Sequence, residues 1–251
     1  MCSDGLACTT LILVGGLGTR LLPAVSDRPK PMALVHGVPF LEILIRSLSL
    51  KGLRRIVLLA GHMADMIEDH FKEPRISGVR IICVREDEPM GTGGAVKHAE
   101  RFATDPSILI NGDTFFDADL DRLFRFHGEK QAAATLSLYR VEDVGRYGAV
   151  AIDDAGHVVR FEEKQIGPAR PGLINAGFSL LSAAFIRNLP EGRAFSMETE
   201  ILPQLARSGG LFGLPQEGAF FDIGTPASYE DFKAYATERW SLAGPQGTQH
   251  D

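Results

Sequence analysis

The run GGLGTR at residues 15–20, followed by PKP at residues 29–31, gathers residue types that suit a polyphosphate. Gly15, Gly16 and Gly18 carry no side chain, so backbone N–H groups can approach phosphate oxygens. Arg20 offers a planar fork for such oxygens. Lys30 offers a compact charge on a backbone restricted by Pro29 and Pro31. The spacing matches neither common phosphate loop. A P-loop needs glycine where Arg20 stands, and the dinucleotide fingerprint needs glycine where Leu21 stands. A tight turn alone would account for the glycines, but not for two cations following in one loop.

Phosphoryl chemistry needs positioning, charge neutralisation and, with a metal, hard oxygen ligands. Asp113 offers one, in the strand-end run Asn111-Gly112-Asp113-Thr114, whose glycine would let a ligand approach. Asp222 offers another, in FFDIGTP. An aspartate inside an apolar strand is not left unpaired. Thr225 is the better helix cap there, with Pro226 at the first helical position, and that frees Asp222 for another role. A third block, EDEPMGTGGA at residues 86–95, sets Gly91, Thr92 and Gly93 near a helix start, where glycines could lie against a flat base. Glu88 could accept from guanine N1–H and N2–H₂, a donor pair that uracil, thymine and cytosine lack. It could equally be a solvated acid beside Glu86 and Asp87. The histidines show no metal-ligand spacing; His36 reads as a turn residue and the others as surface residues.

These residues need elements to hold them. Apolar runs at 10–14, 55–60, 79–84 and 107–110 read as strands. Helical spacing covers 40–51, 64–71, 94–102 and 119–127. Strands alternating with helices predict a mostly parallel sheet with helices on both faces. Later residues change character: strands at 133–140, 147–152, 157–161 and 173–181, a hairpin turn at 153–156, and helices at 196–206 and 226–238. We read one domain over residues 1–240. Its nucleotide-binding half spans about 9–130 and its acceptor half about 131–240, with a frayed tail at 241–251.

Bulk properties narrow the partners. The 251 residues, 45% hydrophobic, suffice for one large core. A formal charge of −6 disfavours a broad nucleic-acid surface. Three scattered cysteines read as a reducing compartment without disulfides. With no signal-like start and no run of roughly 18 apolar residues, the sequence reads as cytoplasmic and without membrane contact.

GGLGTRL followed by RPKPMALV resembles the signature of the sugar-1-phosphate nucleotidyltransferases, with Val14 where alanine is more usual. EDEPMGTGGAV, LINGDTFFDADL, RYGAV, PGLINAGFSLL, FSMETEILP and FFDIGTPASYEDF are similar to the D-glycero-α-D-manno-heptose 1-phosphate guanylyltransferases. The resemblance implies a Rossmann-like α/β fold of the nucleotide-diphospho-sugar transferase (GT-A-like) type, Mg²⁺ as cofactor and a homodimer. It implies synthesis of GDP-D-glycero-α-D-manno-heptose from GTP and the heptose 1-phosphate, for bacterial surface glycans. It also implies roles. Arg20, Lys30 and Asp113 would be catalytic, and Asp113 and Asp222 would hold the metal. Gly15, Gly16, Gly18, Thr19, Glu88, Gly91, Thr92, Gly93 and Asn111 would bind the nucleotide. Gly148, Glu163, Lys164, Asn175 and Gly177 would bind the sugar phosphate, with Gly148 and Gly177 leaving room for the ring. Read without the resemblance, residues 162–164 are a charged strand end; Gln165 replaces the family's frequent proline. The sequence ends soon after the DIGTP helix, so the expectation is a chain without the C-terminal β-helix of the mannose-1-phosphate enzymes. Mannose 1-phosphate as acceptor, UTP or dTTP as donor, and a non-catalytic sugar-nucleotide sensor are the alternatives.

Overall fold

A computed structural model describes residues 8–16, 27–162 and 169–240. The chain opens with strand β1 (Thr9–Leu13), a small hairpin of β2 (Leu34–Val35) and β3 (Val38–Pro39), and helix α1 (Phe40–Leu50). The hairpin turns at His36 and Gly37, both with positive φ (50° and 83°), so His36 is the turn residue its sequence position implies. Next come β4 (Arg55–Ala60), α2 (Ala64–Phe71), β5 (Arg80–Arg85), α3 (Gly91–His98), β6 (Ser107–Asn111), β7 (Thr114–Phe116) and α4 (Leu120–Lys130). The later part holds β8 (Ala134–Val141), β9 (Ala149–Ile152), β10 (Val158–Glu162), β11 (Gly172–Leu181), α5 (Ala183–Arg187) and a π-helical turn, Met197–Ile201. It ends with α6 (Leu202–Arg207), β12 (Leu211–Pro215), β13 (Phe220–Asp222) and α7 (Pro226–Trp240).

Seven strands form the main sheet in the order β12-β8-β11-β6-β1-β4-β5. β11 runs antiparallel to both its neighbours; the other pairings are parallel. Side chains alternate between the two faces. Ile12, Ile56, Leu58, Ile108 and Ile110 meet α1, α2, α4 and α7 on one face, through residues such as Phe40, Ile67, Leu123 and Phe232. Leu11, Val57, Leu59 and Leu109 meet α3, α5 and α6 on the other, through Val96, Ile186 and Leu202. This double coverage explains why Arg55–Ala60 is a continuous apolar run instead of an alternating one.

The chain moves outward from β1 to β4 and β5, then returns to place β6 on the opposite side of β1. A sheet of this kind opens a crevice beyond the carboxyl ends of its strands at that reversal. Gly15-Gly16 leaves β1 and Asn111-Gly112-Asp113 leaves β6, so both motifs sit at this crevice.

The histidine reading needs correction. His127 is buried, with Nδ1 2.8 Å from Thr135 Oγ1, and burial holds its imidazole below the usual histidine range. It is a core residue that fastens α4 to β8.

Candidate active site

Two cavities open at the crevice and share Asn111, Asp113 and Glu198 in their walls. The first, about 770 Å³, is lined by Gly15 and Gly16, Lys30, residues 85–89, Gly91 and Thr92. The second, about 960 Å³, is lined by Tyr147, Gly148, Asn175, Gly177, Phe220 and Asp222, with the π-helical turn opposite.

Lys30 sits at the centre. Pro31 helps set a 3₁₀ turn, Lys30–Met32, that buries the lysine stem to 9% exposure. Its ammonium lies 2.6 Å from Asp113 Oδ2 and 3.8 Å from Asp222 Oδ1. Asp113 leaves β6, and Asp222 ends β13, which pairs antiparallel with β7 and so returns beside the NGD turn. The structure therefore joins three residues far apart in sequence. Lys30 lines the first cavity and also offsets the charge of both carboxylates. Asp222 Oδ1 accepts from Gly224 N at 2.8 Å, and a Cβ at Gly224 would stand 2.7 Å from that oxygen and 3.0 Å from Lys30 Nζ. Thr225 is the cap, its Oγ1 accepting from Ser228 N at 3.4 Å, which leaves Asp222 facing the lysine.

The glycines divide by what they face. No atom of the described residues lies within 4 Å of a Cβ built on Gly16, whereas one on Gly15 would meet Gly61 N at 2.9 Å. Gly16 is therefore open to a ligand and Gly15 is fitted to a neighbouring loop. Gly112 does not serve ligand approach: its Cβ would stand 2.5 Å from Leu13 O and 2.7 Å from Val14 Cγ1. The glycines of residues 91 and 93 are fitted to Phe195. A Cβ on Gly93 would be 2.1 Å from the Phe195 ring, and one on Gly91, at φ +70°, would be 2.5 Å from Phe195 O. Gly91 and Thr92 line the first cavity; Gly93 is turned to Phe195, and its N–H donates to Phe195 O at 3.0 Å.

On the acceptor side, β11 carries a register shift between Asn175 and Ser179. Such a bulge re-aims side chains next to a site. Asn175 Oδ1 accepts from Gly177 N at 3.1 Å, and Gly177, at φ +69°, leaves space filled by Asn111, whose Nδ2 would be 2.9 Å from its Cβ. Gly177 thus makes room for Asn111 before it makes room for any sugar. Gly148 has φ +84° and borders the cavity directly. Gly18, Thr19, Arg20, Glu163 and Lys164 lie outside the described residues.

The sequence points to Glu88, which is exposed at the first cavity. It overlooks Glu86, which is half-buried where β5 ends; its N–H still donates to Ala60 O at 2.8 Å. Glu86 Oε2 accepts from Met90 N at 2.9 Å and its Oε1 would lie 3.4 Å from a Cβ on Gly15. Burial pushes its carboxyl up, against the opposing hydrogen bond from Met90. The available signal was position: a strand's carboxyl end is where such sheets meet ligands.

A family model described as nucleotidyl transferase matches residues 9–239. The chain belongs to the nucleotidyl transferase family. It is 36% identical to a D-glycero-alpha-D-manno-heptose 1-phosphate guanylyltransferase of Campylobacter jejuni, over 88% of this chain and 97% of that one. It is also 36% identical to a mannose-1-phosphate guanylyltransferase of Mycobacterium tuberculosis, over 88% of this chain but 62% of that one. Among solved structures it resembles HddC from Yersinia pseudotuberculosis complexed with GMP-PN, with a TM-score of 0.81, 34% identity and coverage of 91% and 99% of the two chains. The mixed sheet with helices on both faces is the fold of this nucleotidyl transferase family. Among the described residues, no helix is long and apolar enough to cross a membrane.

Proposed function

We propose that this nucleotidyl transferase makes GDP-D-glycero-α-D-manno-heptose and pyrophosphate from GTP and D-glycero-α-D-manno-heptose 1-phosphate. The observation that carries the reading is the meeting of two cavities at Asn111 and Asp113, with Lys30 between Asp113 and Asp222. GTP fills the first cavity and the sugar phosphate the second. An acceptor phosphate oxygen attacks the α-phosphorus at the shared edge. A new P–O bond forms as the α–β bridging bond breaks, and pyrophosphate leaves with the electron pair.

The chain's own groups position and neutralise. Gly16 lets backbone N–H groups reach the triphosphate; Arg20, with Gly18 and Thr19, completes that loop. Lys30 stabilises charge that grows as pyrophosphate departs. Glu86 takes guanine N1–H and N2–H₂, a reassignment from Glu88 based on its enclosure and fixed orientation. Asn175, Gly148, Glu163 and Lys164 hold the acceptor.

Asp113 and Asp222 converge on one cation, the Lys30 ammonium, and no third His, Cys, Asp or Glu joins them among the described residues. Two carboxylates, with other positions left to water and phosphate, are a donor set that Mg²⁺ accepts. Asp113 and Asp222 would hold it, and it would supply positive charge to offset the phosphates.

Asp113→Asn tests the reading. Turnover should fall by about a hundredfold or more, while GTP still binds in calorimetry; undiminished turnover would refute it. Mannose 1-phosphate is the second acceptor to try, because the mycobacterial relative is as similar as the heptose enzyme.

A further inference from the structure

Glu198 borders both cavities, and neither the triphosphate loop nor the Lys30–Asp113–Asp222 cluster uses it. It lies in the π-helical turn Met197–Ile201, a wide form of helix that recurs at functional sites. Its Oε2 accepts from Thr92 Oγ1 at 2.6 Å and from Ser196 Oγ at 3.0 Å. Thr92 Oγ1 itself accepts from Met197 N at 2.9 Å, so the clasp is closed. Two hydroxyls thus aim the carboxylate. No cation among the described residues pairs with it, and its Oε1 has no hydrogen bond there. Glu200, in the same turn, differs: Arg193 Nη1 lies 2.8 Å from its Oε2, and Ser196 N donates to its Oε1 at 3.0 Å.

A carboxylate where two phosphorylated substrates meet repels phosphate, so its natural complement is a neutral O–H donor. It does not add a third ligand to Asp113 and Asp222. On the acceptor side its neighbours in the cavity wall are Ser196 and Thr199, polar groups suited to hydroxyls. We propose that Glu198 binds the acceptor sugar, taking a ring hydroxyl on Oε1 while Thr92 and Ser196 hold Oε2. This rests on reading the second cavity as the acceptor site. It makes Glu198 a specificity-determining residue whose aim is set from the nucleotide side by Thr92.

The test uses the full chain with Glu198→Ala and Glu198→Gln; the glutamine keeps an acceptor for Thr92 should alanine disturb folding. The KM for the sugar 1-phosphate should rise about tenfold in Glu198→Ala, as for loss of one hydrogen bond to a charged group, with the GTP KM unchanged. In calorimetry, the preference of the parent for GDP-mannose over GDP should shrink by a similar factor, with GDP affinity kept. A raised GTP KM with an unchanged acceptor KM would transfer Glu198 to the ribose and overturn the proposal. So would a lowered melting temperature with both KM values unchanged, or equal GDP-mannose to GDP ratios in parent and variant. A parent that transfers no guanylyl group defeats the proposed reaction instead, and the GDP-mannose comparison still decides Glu198.

Discussion

At 2.6 Å from Asp113 and 3.8 Å from Asp222, the Lys30 ammonium offsets two carboxylates that would otherwise repel each other. Each of these three residues is visible in sequence through its motif, and the resemblance implies that Asp113 and Asp222 share a metal; that Lys30 lies between them follows only once β13 pairs with β7. The glycine loop gives a paired prediction. Gly16→Ala should leave the melting temperature nearly unchanged, since its Cβ meets none of the described residues within 4 Å, and should raise the GTP KM about tenfold. Gly15→Ala should lower the melting temperature, because its Cβ would crowd Gly61 N. Reversed effects would assign the ligand-facing role to the wrong glycine. Glu86→Gln should erode preference for GTP over UTP by about 10- to 100-fold, because the amide sets a donor against guanine's donors. Burial raises the Glu86 carboxyl in the fold. Its stabilising contribution is therefore fully present below the unfolded value and is lost as pH rises through the raised folded value. Melting curves should show Glu86→Gln gaining on the parent at neutral pH and not at acidic pH.

At the element scale, α3 begins at Gly91, three residues before the start read from sequence at Gly94. Gly91 and Gly93 are poor helix formers, and local propensity hides the reason for the early start. Phe195 supplies it: its N–H donates to Met90 O at 3.0 Å and its carbonyl accepts from Gly93 at 3.0 Å. Gly93→Ala should cost about 1–3 kcal/mol in denaturant unfolding, since its Cβ would overlap the buried Phe195 ring. The same substitution should disturb the acceptor KM through the Thr92–Glu198 clasp; an unperturbed melt would contradict this account of the helix start. β12 and β7 escaped the sequence reading because their place in the fold, not their local sequence, makes them strands. Leu211–Pro215 carries a glycine and a proline, which argue against a strand, yet it lies at the sheet edge where proline is tolerated. β7 spans only Thr114–Phe116 and exists through its long-range pairing with β13.

Across the whole molecule, the apolar periodicities were enough for the architecture, because strands buried on both faces and amphipathic helices leave strong local signals. What they could not supply was how the two parts of the chain fasten together. Residues 90–93 and 195–198 close on one another through Phe195, Thr92 and Glu198, beside the edge where the cavities meet at Asp113. A transfer between two substrates requires that geometry, since the reacting phosphates must be brought within reach of each other. Pyrophosphate release from the full chain with Mg²⁺ decides the reaction, with each nucleoside triphosphate offered alongside D-glycero-α-D-manno-heptose 1-phosphate and alongside mannose 1-phosphate. Release with GTP and the heptose phosphate should stand well above every other pair. Absence of release with any pair, from folded protein, would contradict the proposed reaction.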